Sequence, residues 1–242
     1  MRSLSLAPLP RRGRISDAAH DRLLEAILTG RIPPGESLPS ERQLSEAWGI
    51  SRHAVREALS RLQQAQLVVV AQGGATRVLD WRATGGLELL LAVGVDGTGA
   101  LDADLLRSVL ELRACIGQDA ARRCAQRGPA PLRREAAELA DGVAAERDRE
   151  RRAALYQQLW ERLVEGSGNV AYRLAFNTLV RGLQRMHELE LALAPAPSEA
   201  GQVAALAAAL RGRDGEGAAA AAGELLGRSM ARGRRALGTR GV

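Results

Sequence analysis

The chain has 242 residues, of which 46% are hydrophobic and 2% aromatic, and all 34 of its basic residues are arginine. This length allows one large domain or two modest ones with buried cores, and the excess of Ala and Leu over aromatic residues favours packed helices over a β-sandwich. The net charge of +6 supports a nucleic-acid partner only weakly, because a GC-rich genome produces the same arginine bias.

Membrane proteins and disulfide-stapled scaffolds are disfavoured by the same sequence. No apolar run reaches the roughly 18–20 residues that span a bilayer, and Cys115 and Cys124 fit neither a zinc spacing nor a disulfide framework. Residues 1–14 lack the continuous apolar segment of a signal peptide, and we interpret them as a disordered basic arm. The sequence therefore predicts a cytoplasmic protein that has no membrane partner.

The first predicted element is a helix over residues 16–29, where apolar residues recur at helical spacing. Gly30 supplies its stop. Residues 31–40 contain three prolines and a glycine, which forbid a helix, so we expect an extended connector there.

Two short helices follow the connector and are separated by a tight turn. Ser40 is placed to cap the first of them, with Gln43 three residues later completing a capping-box pattern. Gly49 suits a sharp turn because glycine adopts positive φ readily. Ser51 then caps a second helix over about residues 51–65, which makes a helix-turn-helix pattern.

A two-stranded hairpin is predicted directly after the helix-turn-helix. Residues 68–70 are three valines, Gly73 and Gly74 provide a turn, and residues 76–79 form the returning strand. Helix, helix-turn-helix and hairpin in this order predict a winged helix-turn-helix domain over residues 15–80.

The second half of the chain predicts an all-α helical bundle. Residues 81–101 are rich in glycine around one short apolar segment at 87–93, and we interpret them as a linker with a short helix. The helical domain is expected over residues 102–236, followed by a tail at 237–242. Its helices are predicted at residues 102–128, 132–148, 152–166, 169–193, 198–211 and 215–236.

The second helix of the helix-turn-helix carries the residues that suggest DNA recognition. In such modules this helix enters the major groove. Arg52 and Arg56 are one helical turn apart and project together, and arginine bonds bidentately to guanine. His53 could reach a base or a phosphate, Ser51 could place its hydroxyl near a phosphate, and Arg42 could reach the backbone or an adjacent base.

Each of these assignments has a structural alternative. The two arginines could form a solvated helix face paired with Glu57 or another carboxylate, and His53 could be an ordinary surface residue. At the hairpin tip, Gln72, Gly73 and Gly74 could enter the minor groove or could form a plain tight turn.

The segment RIPPGESLPSERQLSEAWGISRHAVREALSRLQQAQLV resembles the DNA-binding domain of the GntR family of bacterial transcriptional regulators. In the second half, VLELRACIGQDAARRCA and LYQQLWERLVEGSGNVAYRLAFNTLV resemble the helical effector-binding domain of the FadR-type subfamily. The segment GGATRVLDWRATGGLELL, at residues 73–90, is similar to the hairpin and linker of that subfamily's acyl-CoA-responsive branch.

This resemblance implies a homodimeric, ligand-controlled protein that binds a palindromic double-stranded operator. His53 and Ala54 depart from the threonine or proline types that are commoner there, so the preferred bases could differ. The positions that match operator contacts in the family are Arg42, Ser51, Arg52, His53, Ala54, Arg56, Gln72 and Gly73.

The resemblance also bears on metal binding, because this chain lacks metal ligands at the matching positions. Many members of the subfamily bind a metal through an Asp-x-x-x-His pair and two further histidines. The pair falls on Tyr156 and Trp160 in this chain, and His187 is the only histidine after residue 53. We therefore expect no metal and no other cofactor, which favours an acyl-CoA-like or other acidic effector.

Arg113 is the leading candidate for holding such an effector. The resemblance places an arginine that points into the ligand cavity at this position, and guanidinium suits a carboxylate or phosphate. The alternative is a structural ion pair with Glu111 or another carboxylate. Tyr156, Trp160 and Phe176 could line the cavity or pack in the core.

The function expected from the sequence is therefore a ligand-responsive transcriptional regulator without enzymatic activity. One alternative is an enzyme with a DNA-binding appendage, although no Ser-His-Asp order, Cys-His pair or phosphate loop is found. Another is a DNA-binding protein whose bundle is vestigial and binds no ligand.

Overall fold

The computed structural model describes residues 15–70, 74–89, 103–183 and 187–238. The chain divides into two compact units, Met1–Gly99 and Ala100–Val242. Helices dominate the described residues, and strands occur there only as one pair, so the expected mainly α fold class is confirmed. Within those ranges no helix is long and apolar enough to cross a membrane.

The first unit has the element order of a winged helix-turn-helix. Its two strands pair antiparallel, with Val68 opposite Val78. Its elements are α1 (Ile15–Leu28), α2 (Glu41–Trp48), α3 (Arg52–Gln64), β1 (Val68–Val70), β2 (Thr76–Val78), α4 (Trp81–Thr84) and a 3-10 turn (Leu87–Leu89).

The caps and the turn of the helix-turn-helix are those predicted from the sequence. The Gln43 N–H donates to Ser40 Oγ at 3.3 Å, and the Ser40 N–H donates to Gln43 Oε1 at 2.9 Å, which completes the capping box. Gly49 ends α2 with φ of 66°. Ser51 Oγ accepts the Ala54 N–H at 3.2 Å and so caps α3.

The core of the first unit fixes the orientation of α3. Val55, Ala58 and Leu62 of α3 are completely buried, and Leu23 of α1 is buried in the same cluster. Because a helix that buries one side must expose the opposite side, the first turn of α3 keeps its polar side chains outward.

The connector between α1 and α2 is extended, as expected, but it also pairs with the hairpin. The Leu38 N–H donates to the Thr76 carbonyl at 2.8 Å, and the Val78 N–H donates to the Glu36 carbonyl at 2.9 Å. The connector therefore lies along β2 as a third strand-like segment, an arrangement that the sequence did not predict.

The segment after the hairpin differs from the prediction. The four-residue helix α4, which Asp80 caps through the Arg82 N–H at 3.1 Å, was not expected. Of the short helix predicted at residues 87–93, the described part is the 3-10 turn Leu87–Leu89, and the remainder lies outside the described residues.

The second unit is an all-α bundle, as predicted. The predicted helix at 169–193 is described as two helices, and residues 184–186 between them lie outside the described part. The helices are α5 (Ala103–Arg127), α6 (Ala130–Ala145), α7 (Arg149–Gly166), α8 (Val170–Leu183), α9 (His187–Leu193), α10 (Ala200–Gly212) and α11 (Gly215–Gly238).

Small side chains allow the bundle helices to pack closely. α11 lies along α5, and α6 packs against α7 and α10. Ala121 of α5 and Ala222 of α11 are completely buried, and Leu159 and Leu163 of α7 fill the centre of the same cluster. α8 and α9 complete the side of the bundle where a cavity remains.

Candidate functional site

The outward side of α3 carries the polar residues predicted to contact DNA. Arg52, His53 and Arg56 are all exposed, with 69% of the Arg56 side chain accessible, and Ser51 is exposed at the helix N-terminus. Arg42, on α2, is also exposed. Its guanidinium lies 3.3 Å from Glu46, one turn along the same helix.

Arg56 is held by a carboxylate of the preceding helix. Its Nη2 donates to Glu41 Oε2 at 2.9 Å, and its Nε lies 3.3 Å from both Glu41 oxygens. The hydrogen bond from Arg56 lowers the pKa of the Glu41 carboxyl, and the same bond raises the pKa of Arg56. The sequence left open an ion pair between these arginines and Glu57 or another carboxylate, and for Arg56 that carboxylate is Glu41. Arg52 forms no ion pair within the described residues.

Of the three remaining residues predicted to contact DNA, one is largely buried and two lie outside the described residues. The Ala54 side chain is 9% exposed, so it lies at the edge of the buried face of α3. Gln72 and Gly73 lie outside the described residues. Gly74, which follows them, has φ of 85°, a conformation that favours glycine.

A cavity in the second unit is enclosed by α5, α7, α8 and α9. With its open mouth it contains about 660 Å³ of space. Most of its wall is apolar. The lining residues are Arg113, Ile116, Gly117, Ala153, Tyr156, Gln157, Trp160, Val164, Phe176, Leu179, Val180, Glu190 and Leu193.

The structure brings the three predicted effector residues together in this cavity. The guanidinium carbon of Arg113 lies 5.9 Å from the ring centroids of both Tyr156 and Trp160. The two rings meet edge to face with their centroids 5.8 Å apart. Tyr156 and Trp160 therefore line the cavity and also belong to the hydrophobic core, which are the two positions considered for them.

Two polar atoms of this group are buried without a hydrogen-bond partner. Tyr156 is 4% exposed and Trp160 is 5% exposed, and neither the phenol oxygen nor the indole Nε1 has a hydrogen-bond partner among the described residues. Because buried polar groups in proteins are normally hydrogen-bonded, two unpaired donors on rings that lie near one guanidinium favour a site for an acceptor.

Among the residues that the structure describes, Arg113 forms no ion pair with Glu111 or with another carboxylate. Its Nη1 donates to Ser229 Oγ at 3.1 Å, and the Ser229 hydroxyl donates to the Leu193 carbonyl at 2.7 Å. Glu111 instead lies 4.0 Å from Arg107. The pairing of Arg113 with Glu111 is therefore wrong, because the two side chains leave α5 in different directions.

Three polar residues near the cavity were missed by the sequence reasoning. Gln157 and Glu190 line the wall, and Ser229 holds Arg113. No motif in the sequence points to them, because three different helices bring them to the cavity.

The donors of the cavity do not fit a metal ion. A phenol and an indole stand at the two positions where the resemblance would place a metal-binding pair, and neither is a usual ligand of a divalent metal. Among the described residues no three His, Cys, Asp or Glu side chains are grouped closely enough to hold one.

Comparison with known proteins identifies both units. Residues 15–78 match the family described as bacterial regulatory proteins, gntR family, and residues 108–228 match the FCD domain. Mce2R of Mycobacterium tuberculosis, an HTH-type transcriptional regulator, is 38% identical over 178 residues, which cover 72% of each chain. The fatty acid metabolism regulator protein of Erwinia tasmaniensis is 33% identical over 165 residues, or 66% of each chain.

A solved structure shares the fold. It is the structure of Lar, described as controlling the expression of the Listeria monocytogenes agr system, with a TM-score of 0.56 at 14% identity. The match covers 93% of this chain and 99% of that one. The sequence matches establish the family, and the chain belongs to the GntR family of bacterial transcriptional regulators, with an N-terminal helix-turn-helix domain and a C-terminal FCD domain.

Proposed function

We propose that this regulator binds a palindromic operator as a homodimer, and that a small acidic metabolite in the bundle cavity controls the binding. The observation that carries the proposal is the group of Arg113, Tyr156 and Trp160, in which two buried donors have no partner in the part of the chain that the structure describes. Buried donors are normally hydrogen-bonded, so two unpaired ones on residues that line one cavity support a ligand that brings acceptor atoms.

Recognition of the operator follows from the exposed side of α3. Arg52 and Arg56 project together and bond to guanine edges in the major groove, while His53 contacts a base or a phosphate. Ser51 and the N-terminus of α3 meet a phosphate, and Arg42 reaches the backbone. Contacts from Ala54, Gln72 and Gly73 stay predictions from the resemblance.

A homodimer explains how a ligand in the bundle could change DNA binding. Dimers of helix-turn-helix proteins read two half-sites about one helical turn apart, so their two recognition helices must keep a fixed spacing. A ligand that binds one arrangement of the dimer more tightly than another shifts the population toward it and changes operator affinity.

The acidic effector has two candidate chemistries, a free organic acid and an acyl-CoA. The apolar wall of the cavity and the name of the Erwinia relative support a ligand with an acyl or alkyl portion. A metal-independent site, a cytoplasmic location without a membrane partner and the absence of enzymatic activity stay predictions.

Thermal unfolding with added ligands tests the effector site. Octanoate, octanoyl-CoA and amino acids are each titrated into the full chain, and a compound at about 100 times its Kd stabilises the protein by about 2.7 kcal/mol. The same compound must change affinity for operator DNA. If no compound in the panel raises the unfolding temperature, the bundle is vestigial and this proposal fails.

A further inference from the structure

We propose that the effector is a zwitterion, a free α-amino acid with an apolar side chain, whose carboxylate binds Arg113 and whose ammonium binds Glu190. This inference rests on the proposed effector control through the same cavity, and it narrows the two candidate chemistries to an organic acid that also carries an ammonium group.

The first support is the pair of opposite charges that line the cavity. Arg113 comes from α5 and Glu190 from α9, and both are half-buried in its wall. They do not pair with each other, since none of their charged atoms lie within 4.0 Å. Within the part of the chain that the structure describes, Glu190 forms no hydrogen bond or ion pair at all.

The second support is electrostatic balance. Removing a charge from water is unfavourable unless an opposite charge compensates it. A simple carboxylic acid would neutralise Arg113 but would leave Glu190 uncompensated and place two negative charges in one largely apolar cavity. A simple amine would leave Arg113 uncompensated. A zwitterion compensates the charges of both Arg113 and Glu190.

The third support is the distribution of hydrogen-bonding atoms. An ionised carboxylate offers about four lone-pair sites, enough to accept from the Arg113 guanidinium, the Tyr156 hydroxyl and the Trp160 indole N–H. An ammonium needs acceptors instead. The Glu190 carboxylate is one, and the Oε1 of Gln157 is another, because the Gln157 amide donates its Nε2 hydrogen to Glu161 at 3.0 Å.

The remaining wall defines the side chain of the ligand. Ile116, Val164, Phe176 and Leu179 surround the rest of the space, so a branched aliphatic or aromatic side chain is favoured over a polar one. An acyl-CoA would offer no cationic group to Glu190.

Isothermal titration of the full chain with matched probes tests this inference. L-leucine and L-phenylalanine are compared with 4-methylpentanoate, which is leucine without the amine, and 3-methylbutylamine, which is leucine without the carboxylate. We expect one of the two amino acids to bind at least tenfold more tightly than either truncated probe.

Two cavity variants and one control separate recognition from folding. Glu190→Gln lowers amino-acid affinity at least tenfold but leaves 4-methylpentanoate affinity unchanged or higher, because only the amine has lost its partner. Arg113→Gln lowers the affinity for both compounds. Glu224→Gln, an exposed change on α11, leaves all the affinities at the parent values.

The outcomes distinguish this inference from the proposed function. If 4-methylpentanoate or octanoyl-CoA binds and neither amino acid does, the zwitterion inference is overturned and effector control stands. The inference is also overturned if Glu190→Gln leaves amino-acid affinity unchanged. If none of the probes binds, both proposals are overturned.

Discussion

At the residue scale, the two arginines proposed to contact bases are not equivalent. Arg56 is already held by two oxygens of Glu41, whereas Arg52 points outward from the same helix without an ion pair among the described residues. DNA therefore has to compete with Glu41 for Arg56 but not for Arg52. We therefore expect Arg52 to contribute more to the free energy of operator binding than Arg56.

Replacing Arg52 or Arg56 with alanine is expected to weaken operator binding by about 1–3 kcal/mol, because each variant loses a bidentate contact to a base. The loss is smaller for Arg56→Ala, since its guanidinium gives up the Glu41 bond when it binds. Fluorescence anisotropy with operator and scrambled DNA at one fixed salt concentration measures both affinity and specificity.

A matched control removes a surface arginine from the other unit. Arg211 of α10 pairs with Asp141, and Arg211→Ala lowers the net charge by the same amount without touching α3. Its operator affinity should equal that of the parent. If Arg52→Ala and Arg56→Ala also bind as tightly as the parent, α3 does not read the DNA.

The residues of the cavity show how far sequence reasoning reaches at this scale. Tyr156 and Trp160 were found because they replace residues at recognisable positions, and Arg113 because of its place in the first bundle helix. Ser229, which holds Arg113, is 116 residues away along the chain. A contact at that separation leaves no local pattern, so it could be found only in the folded bundle.

At the element scale, local signals predicted the helix-turn-helix well. Ser40 and Ser51 cap helices and Gly49 ends one at the predicted positions, because capping and positive φ depend on immediate neighbours. The pairing of the connector with β2 was missed, since Leu38 and Thr76 are far apart in sequence. The helix α4 was missed because four residues are too few to show a period.

Gly49→Ala is expected to destabilise the protein by about 1–2 kcal/mol, because an L-residue with a side chain is strained at the φ of 66° that this turn requires. A Cβ at this position would meet no atom within 4 Å, so the loss is purely conformational. Urea unfolding of the variant and the parent measures the difference in free energy.

The control for this prediction is a glycine where the same change is favourable. Gly227 lies within α11, has no positive φ and also leaves room for a Cβ. Gly227→Ala should stabilise the protein by about 0.5–1 kcal/mol through helix propensity. A Gly49→Ala variant as stable as the parent would show that the turn does not depend on this conformation.

A hydrogen-bonded carboxylate ties α8, one wall of the cavity, to α5. Asp119 accepts hydrogen bonds from Arg123, from the Tyr172 hydroxyl at 2.8 Å and from Arg122 at 3.2 Å. The hydrogen bond from Arg123 is the main reason that the pKa of Asp119 lies below its ordinary value of 3.8, and Tyr172 and Arg122 lower it further.

This carboxylate makes part of the stability dependent on pH. Because the pKa of Asp119 is lower in the folded protein, its contribution is fully present above the ordinary pKa and is lost as the pH falls through the folded value. Urea unfolding between about pH 5 and pH 2.5 should show a shallower loss of stability for Asp119→Asn than for the parent.

A second variant distinguishes the hydrogen bonds to Asp119 from its charge. Tyr172→Phe keeps the carboxylate and both arginine contacts, so it should flatten the pH dependence only in part. If Asp119→Asn and the parent lose stability in parallel as the pH falls, the Asp119 contacts with Arg122, Arg123 and Tyr172 do not contribute to folding.

At the scale of the whole molecule, the proposed DNA-contact residues and the proposed effector cavity lie in separate units. The described DNA-contact candidates, such as Arg52, lie in Met1–Gly99, and the cavity lies in Ala100–Val242. Helical periodicity was enough to predict this organisation, because each helix buries its own apolar side. The cavity was not predictable in shape, since it depends on how α5, α7, α8 and α9 pack against one another.

Each unit has its own hydrophobic core, so each should fold when produced alone. The isolated second unit should then bind the effector with the affinity of the full chain, since it contains the whole described cavity wall. The isolated first unit should bind a single half-site but lose the bivalent gain of roughly 10²–10⁴ that a dimer provides.

The decisive comparison is the effect of ligand on DNA affinity. A saturating ligand should change operator affinity for the full chain and leave the first unit unaffected, because only the intact chain links the cavity to the recognition helices. Anisotropy titrations of both proteins with and without ligand measure this. A first unit that binds the operator as tightly as the full chain would show that the bundle does not hold the dimer together.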